Sequence, residues 1–392
     1  MTRGEAGLEA VGDEDAIRVS EIVEGAVCAC CAGHHHQPAE GEASPSSTRR
    51  DSLDWDEAAE QIGRANRTWS DKGSATPGFS FGGPAMGEAA QVTYGFLRNA
   101  DVSDDSGQTY RAMNAAEIAM TEYAMALISE VANIEFVRVQ GRGGYLDDPS
   151  DAQIDLDAIA NSNGGLARTS WSGSTYREAT VSIGEDGLEE LGAYAFRTAI
   201  HEVAHAVGLS HPSAYGERPR YDTDAEYRED SAQYTVMSYF DETATGADFG
   251  RSYSTNLMLH DVAALQRLYG VNDQTRTGDT VYGFGSNTND AGWTADGADH
   301  DMIGAIWDAG GHDRLDLSGY AQDQRIDLRE EAFSDAGGLT ANIAIARGAV
   351  IEEAIGGAGD DVLVGNDASN LLVGGAGDDV LYGDGGAMDG FA

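Results

Sequence analysis

The sequence is almost without lysine. Lys72 stands alone, and 24 Lys+Arg face 67 Asp+Glu, for a formal net charge of −43 at pH 7. Nucleic-acid affinity comes from cations placed on phosphates, and anionic membrane surfaces are held by polybasic stretches, so the charge balance argues against both partners. No apolar run approaches the roughly 20 residues of a membrane helix, and no membrane insertion is expected. The first residues, MTRGEAGLEAVGDEDA, lack the basic and apolar regions of a Sec signal peptide. Cysteine is equally scarce. Cys28, Cys30 and Cys31 are the full set, so nothing after them can close an internal disulfide. Extra stability must come from packing or metals, and so many carboxylates point to calcium.

Glycine, by contrast, is abundant: 51 of 392 residues, crowded after Gly278, which splits the chain by composition. Residues 1–50 are acidic, small and polar and read as a flexible tail or propeptide. Within it Cys28, Cys30, Cys31 and His34, His35, His36 form either a mobile segment with adventitious metal affinity or a soft-metal ligand set. Order begins at Asp54, where an N-cap with Glu57 three residues on opens a helix through Ile62. QVTYGF, ANIEFVRV, AQIDLDA and ATVSIG read as strands. A helix is expected over Met113 to Val131 with Ala116, Met120, Tyr123, Leu127 and Val131 on one face. Two more are expected at about Gly192 to Val207 and Asn256 to Tyr269, the last closed by Gly270. Beyond Gly270 only short apolar pieces between Gly/Asp/Asn turns remain, the pattern of an all-β module.

The stretch HEVAHAVGLSH carries the chemistry. His201 and His205 stand four apart on one helical face, close enough to bind a single zinc. Glu202 is placed to take a proton from water at the metal rather than to coordinate it. Gly208 ends the helix and His211 returns as third ligand, leaving one coordination position open, as a catalytic site requires. HExxH alone arises by chance on exposed helices. The extended HExxHxxGxxH followed by YTVMSYF, with Met237 and Tyr239, is the motif set of metzincins.

Further on, GGAGDDVLV (356–364) and GGAGDDVLY (374–382) fit the GGxGxDxUx nonapeptide of parallel β-rolls. GNDASNLLV between them is a degenerate copy with Asn370 in the aspartate position. A flexible linker would not keep such a period. Calcium bridges alternate repeats in this architecture, so Gly357, Gly359 and Asp361 are expected to share an ion with Gly374, Ala376 and Asp379.

These motifs, together with LYGVNDQTRTGDTVYGF and WDAGGHD, resemble the serralysins, secreted zinc endopeptidases of the metzincin clan; the likeness runs from about Asp54 onward. The resemblance implies an α+β fold: a metzincin catalytic domain over 51–270, a mixed twisted sheet with long helices, followed by an all-β parallel β-roll over 271–392. It implies that Tyr239 ligates zinc at rest and swings away to stabilise the tetrahedral intermediate, with Met237 beneath the ion. On spacing alone Tyr239 is equally an ordinary core aromatic. Two further calcium sites are implied, one from Arg276, Gly278, Thr280, Asp308, Gly310 and Asp313, the other from Gly311, Asp313, Val350 and Glu352. A monomer acting on protein or peptide substrates, exported by a type I apparatus and folding in extracellular calcium, completes the expectation. An extended substrate is expected at the sheet edge, along Gly164 to Trp171 or Ala179 to Gly184. Against the family pattern, Met388 occupies a ligand-aspartate position and the roll reads as truncated. The Cys/His tail is a candidate to hold the zinc and keep the enzyme latent. The alternative, from another class, is a calcium-dependent adhesion protein with a vestigial protease site.

Overall fold

The computed structural model describes residues 50–63, 67–68, 86–98, 102–103, 107–143, 150–172, 175–216 and 218–383. The Cys28/Cys30/Cys31 and His34/His35/His36 cluster and Met388 lie outside the described residues.

Helix α1 (Trp55–Ile62) starts at the expected capping box. The Glu57 N–H donates to Asp54 Oδ1 at 2.9 Å and the Asp54 N–H to Glu57 Oε2 at 3.1 Å. Its stripe of Trp55, Ala58, Ala59 and Ile62 is buried. Seven strands follow: β1 (Ala90–Phe96), β2 (Val102–Ser103), β3 (Thr109–Arg111), β4 (Ile134–Arg138), β5 (Ile154–Ile159), β6 (Gly165–Ser172) and β7 (Thr175–Gly184). Strands β4, β1, β5 and β7 lie side by side and parallel; β6 runs antiparallel to β7, and β3 with β2 extends beside the second half of β5. Among the described residues β6 pairs with β7 alone, so β6 is a sheet edge. Ala179–Gly184 is not: β7 is enclosed between β5 and β6, which removes that stretch as a substrate edge.

Helix α2 (Ala115–Val131) buries Leu127 and Val131 of the expected face and packs Met120 and Tyr123 against the core, but its stripe is wider than the apolar residues suggest. Glu117, Thr121, Ala124, Met125, Leu127, Ile128 and Val131 face inward, whereas Ala116 is exposed. A charged residue is tolerated inside because Arg111 reaches both Glu117 oxygens, at 2.9 and 2.5 Å, and the Asn114 N–H donates to Oε2 at 2.7 Å. Helix α3 (Tyr194–Ala206) is buried over most of its surface, a short α4 (Tyr221–Asp224) lies on the surface, and α5 (Leu259–Tyr269) packs against α1. Gly270 caps α5 at φ 79°, a conformation glycine accepts without strain.

Short strands make up the remainder: β8 (Val281–Phe284), β9 (Thr294–Ala295), β10 (Gly304–Ile306), β11 (Arg314–Asp316), β12 (Arg325–Asp327), β13 (Phe333–Ser334), β14 (Ile343–Ile345), β15 (Glu353–Ile355), β16 (Val362–Val364), β17 (Leu371–Val373) and β18 (Val380–Tyr382). Two stacks are wholly parallel, β17-β15-β11-β8-β9 and β12-β16-β18. Val362 pairs with Val380 and Glu353 with Leu371, a spacing of two nonapeptides per turn. The mixed sheet with its helices, followed by parallel strands, fits the expected α+β architecture ending in a roll.

The two parts share one hydrophobic core, from Trp55 through Tyr269, Tyr282, Trp293 and Leu315 to Leu363. Polar contacts reinforce the seam. Arg276, only 10% exposed in its side chain, pairs with Glu130 of α2 at 2.7 Å and with Asp290 at 3.0 Å. Tyr123 of α2 donates to the same Asp290, and the Thr275 hydroxyl to the Glu130 carbonyl at 2.6 Å.

Candidate functional site

His201 and His205 project from one face of α3, their ring centroids 4.6 Å apart. At Gly208 the backbone turns with φ 117°, and a Cβ there would lie 2.6 Å from the Arg67 carbonyl oxygen, so a larger residue fits neither the conformation nor the space. The chain then brings His211 back, with its Nε2 at 3.2 Å from His201 Nε2 and 3.0 Å from His205 Nε2. Each helical imidazole is oriented from behind: His201 Nδ1 lies 2.8 Å from the Val236 carbonyl and His205 Nδ1 2.7 Å from the Leu209 carbonyl. A ring nitrogen bonded to a carbonyl carries the proton, which leaves both Nε2 lone pairs facing the common point. Burial, then repulsion from His205 and His211, holds His201 well below the ordinary histidine range and so neutral.

Glu202 is fully buried on the same helix, between the two histidines in sequence. The start of β6 runs directly against it. A Cβ at Gly165 would come within 2.5 Å of Glu202 Cγ and 2.9 Å of its Oε1. The sheet edge is therefore beside the acid.

Residues 234–240 form the turn beneath the histidines, with Met237 fully buried. Three groups hold this turn. Arg197, one helical turn before His201, donates to the carbonyls of Val236 and Ser238 at 3.1 and 2.6 Å. Asp261 of α5 accepts from the Thr235 hydroxyl at 2.5 Å and the Val236 N–H at 2.9 Å. Burial pushes the Asp261 carboxyl up to about 6 against the pull of those donors. Tyr239 leaves the turn toward the triad, its ring 4.5 Å from that of His211 and 6.2 Å from that of His201. Asp230 binds Ser238 at 2.7 Å. Arg197, Asp230 and Asp261 were not singled out by the sequence reading, because their partners lie at separations no local period reveals.

The residues expected to hold calcium form two groups. At the seam, Asp308 and Asp313 are buried. Asp308 Oδ1 accepts from the Gly310 N–H at 2.9 Å and Oδ2 from Tyr282 at 2.7 Å. Asp313 Oδ1 accepts from the Thr280 N–H at 2.8 Å. Glu352 Oε2 accepts from the Asp313 N–H at 2.8 Å. Burial, then the nearby charges of Asp308 and Glu352, pushes Asp313 up to about 7. The Gly278 carbonyl oxygen would be 2.5 Å from a Cβ on Gly311, so this oxygen also faces the loop. Arg276 sits at φ 52° with its side chain turned to the seam, and Val350 is exposed.

In the roll, Asp361 Oδ2 accepts from the Gly357 N–H at 2.7 Å, and Asp379 Oδ1 from the Asp361 N–H at 3.0 Å. The Ala376 N–H donates to the Gly357 carbonyl at 2.9 Å, and Gly359 and Gly374 occupy the same pair of turns. Gln324 lies in register with Asp361 one turn earlier and donates its N–H to Asp361 Oδ1 at 2.8 Å. The sequence reading did not recognise that turn as a repeat, because SGYAQDQRID keeps only one of the repeat's three glycines.

The family model described as Peptidase M10 serralysin C terminal matches residues 271–388. Serralysin C of Dickeya chrysanthemi is 39% identical over 348 residues, covering 84% of this chain and 67% of its own. Serralysin of Proteus mirabilis is 39% identical over 338 residues (82% and 66%), and Serralysin of Photorhabdus luminescens 41% over 300 residues (73% and 60%). The chain spans about two thirds of the length of these relatives. With a histidine triad converging on one point and this likeness across most of its length, the chain belongs to the serralysin family of metalloendopeptidases.

Proposed function

We propose that the chain is a secreted endopeptidase that hydrolyses protein substrates at a zinc site held by His201, His205 and His211, with a roll stabilised by calcium. The observation that carries this reading is the convergence of three Nε2 atoms on the helix that carries Glu202, against which the strand β6 runs. A tetrahedral ion with bonds of 2.0–2.1 Å needs nitrogens about 3.3 Å apart, and the contacts of 3.0 and 3.2 Å fit that spacing. Bound there, zinc would supply Lewis acidity and a water acidic enough to lose a proton near neutral pH. Glu202 accepts that proton and passes it to the departing amine, acting as base and then acid. The Tyr239 hydroxyl donates to the developing oxyanion. An extended substrate adds to the edge of β6, whose N–H and C=O groups orient the scissile bond beside Glu202. The groups around Asp313 and Asp361 bring carboxylate and carbonyl oxygens together, those of Asp308, Glu352 and Gly278 among them, the donor type that calcium takes. Extracellular calcium modules bind at about 10⁻⁴–10⁻³ M, so the roll folds outside the cell after export. An intact Glu202 and a complete triad disfavour the adhesion reading.

The test is casein hydrolysis by the full chain in millimolar calcium and stoichiometric zinc, with a Glu202→Ala control. Activity is expected to vanish in the control while one zinc is retained. Equal activity in both would remove Glu202 from the mechanism, and no activity in either from a folded, zinc-loaded sample would favour the adhesion protein or tail-imposed latency.

A further inference from the structure

Asp230 neither binds the metal nor moves a proton in the reading above, yet it is fully buried and accepts from three hydroxyls. Tyr215 donates to Oδ1 at 2.5 Å, Ser238 to the same oxygen at 2.7 Å, and Ser213 to Oδ2. The donors come from two loops. Ser213 and Tyr215 follow the third histidine, His211, whereas Ser238 immediately precedes Tyr239. One carboxylate thus ties the return loop of the metal site to the turn from which the tyrosine emerges. The Tyr215 ring lies on that of Tyr239, 4.5 Å between centroids and 25° between planes. Tyr239 also meets His211, at 4.5 Å and 61°, and His211 lies 5.6 Å from Tyr215, so the three rings form one cluster. Tyr215 is itself braced edge-on by Phe240 at 5.2 Å. Apolar contact is non-directional and would leave such a stack free to slide; a hydrogen-bonded carboxylate fixes where the Tyr215 hydroxyl, and so its ring, can sit.

We propose that Tyr215, held by Asp230, is a positioning residue for Tyr239: its ring is the platform that keeps the Tyr239 phenol beside the metal site. The proposal rests on the zinc-peptidase reading. Asp230 also holds the side chain of Ser238, one residue before Tyr239, so the ring beside Tyr239 and its chain neighbour are held by the same carboxylate.

The experiment measures kcat, KM and zinc content of the full, zinc- and calcium-loaded chain on a quenched peptide substrate. The variants are Tyr215→Phe, Asp230→Asn, Tyr239→Phe and the double substitutions with Tyr239→Phe. Tyr215→Phe and Asp230→Asn are each expected to lower kcat about ten-fold with zinc retained and KM within about two-fold. In the Tyr239→Phe background neither should lower kcat further. A loss of equal size in both backgrounds, or no loss in Tyr215→Phe, overturns the proposal. Should Asp230→Asn fail to fold, Tyr215→Phe decides, since it keeps the ring and removes only the hydroxyl. Copper(II) in place of zinc adds a spectroscopic readout: a phenolate-to-copper charge-transfer band is expected to shift in Tyr215→Phe, and an unshifted band counts against the platform. Full activity of Tyr239→Phe would overturn both the role of Tyr239 and this proposal, whereas an active Glu202→Ala would overturn the peptidase mechanism alone.

Discussion

Replacing Gly165 by alanine tests the proposed chemistry from the substrate side without touching a metal ligand. Gly165 is the first residue of β6 and has an ordinary backbone conformation, so alanine brings no dihedral strain. Its added methyl, however, would lie 2.5 Å from Glu202 Cγ, 2.7 Å from Thr198 Cγ2 and 2.9 Å from Glu202 Oε1. Carbon atoms at rest sit about 3.5–4.0 Å apart, so Glu202 or the edge strand must give by about 1 Å. Thr198 cannot yield easily, because its hydroxyl is bonded to the Tyr194 carbonyl at 2.9 Å within α3. A displacement of that size between acid and substrate costs about 100-fold in rate, close to 2.7 kcal/mol of barrier. The assay is kcat/KM on a peptide substrate alongside zinc stoichiometry and a melting curve. Gly165→Ala is expected to keep its zinc and its fold and to lose about two orders of magnitude in kcat/KM. Wild-type turnover in a folded, zinc-loaded variant would refute the reasoning, since either Glu202 tolerates displacement or it is not the base.

Replacing His205 by alanine removes one of three converging nitrogens and should abolish stoichiometric zinc binding, read by metal analysis after dialysis. The metal-free chain should lose stability as pH rises from about 4 to 7. With its folded value pushed up to about 7 above the ordinary 3.8, Asp313 keeps its proton in the folded state and loses it in the unfolded one. Its contribution is thus complete below the unfolded value and gone once pH passes the folded one; denaturant midpoints at pH 5 and 8 without calcium check this. By the same linkage, calcium binding should release protons at pH 6 and fewer at pH 8, measurable by calorimetry in two buffers. Arg276→Ala strands Glu130 and Asp290 at the seam and should cost about 3 kcal/mol in urea unfolding, because removing one partner leaves uncompensated charge.

The histidine triad is legible in the sequence because its geometry is local. A spacing of four puts His201 and His205 on one helical face, and a glycine between them and His211 forces the return. The groups that orient the triad are not legible. Arg197 grips carbonyls at Val236 and Ser238, and Asp261 reaches back to Thr235, contacts that only the folded chain creates. In α2 the apolar pattern finds Leu127 and Val131 but not Glu117, which the ion pair with Arg111 makes an inward-facing residue. The roll divides in the same way. GGAGDDVLV announces a turn by its glycines, whereas the preceding turn, with Gln324 in register with Asp361, keeps the geometry after losing most of the spelling.

The Arg276 seam sets a limit on how this protein can be recombined. A guanidinium shared by Glu130 on one side and Asp290 on the other, over an unbroken apolar interior, makes the border near residue 270 a weld rather than a hinge. A chimera that exchanges the roll for that of a relative would have to carry Tyr123 and Glu130 along with it, or find matching partners in the new roll. A cut made at the border would bare Tyr269 and Tyr282 together, so neither half should be recovered as a well-behaved fragment.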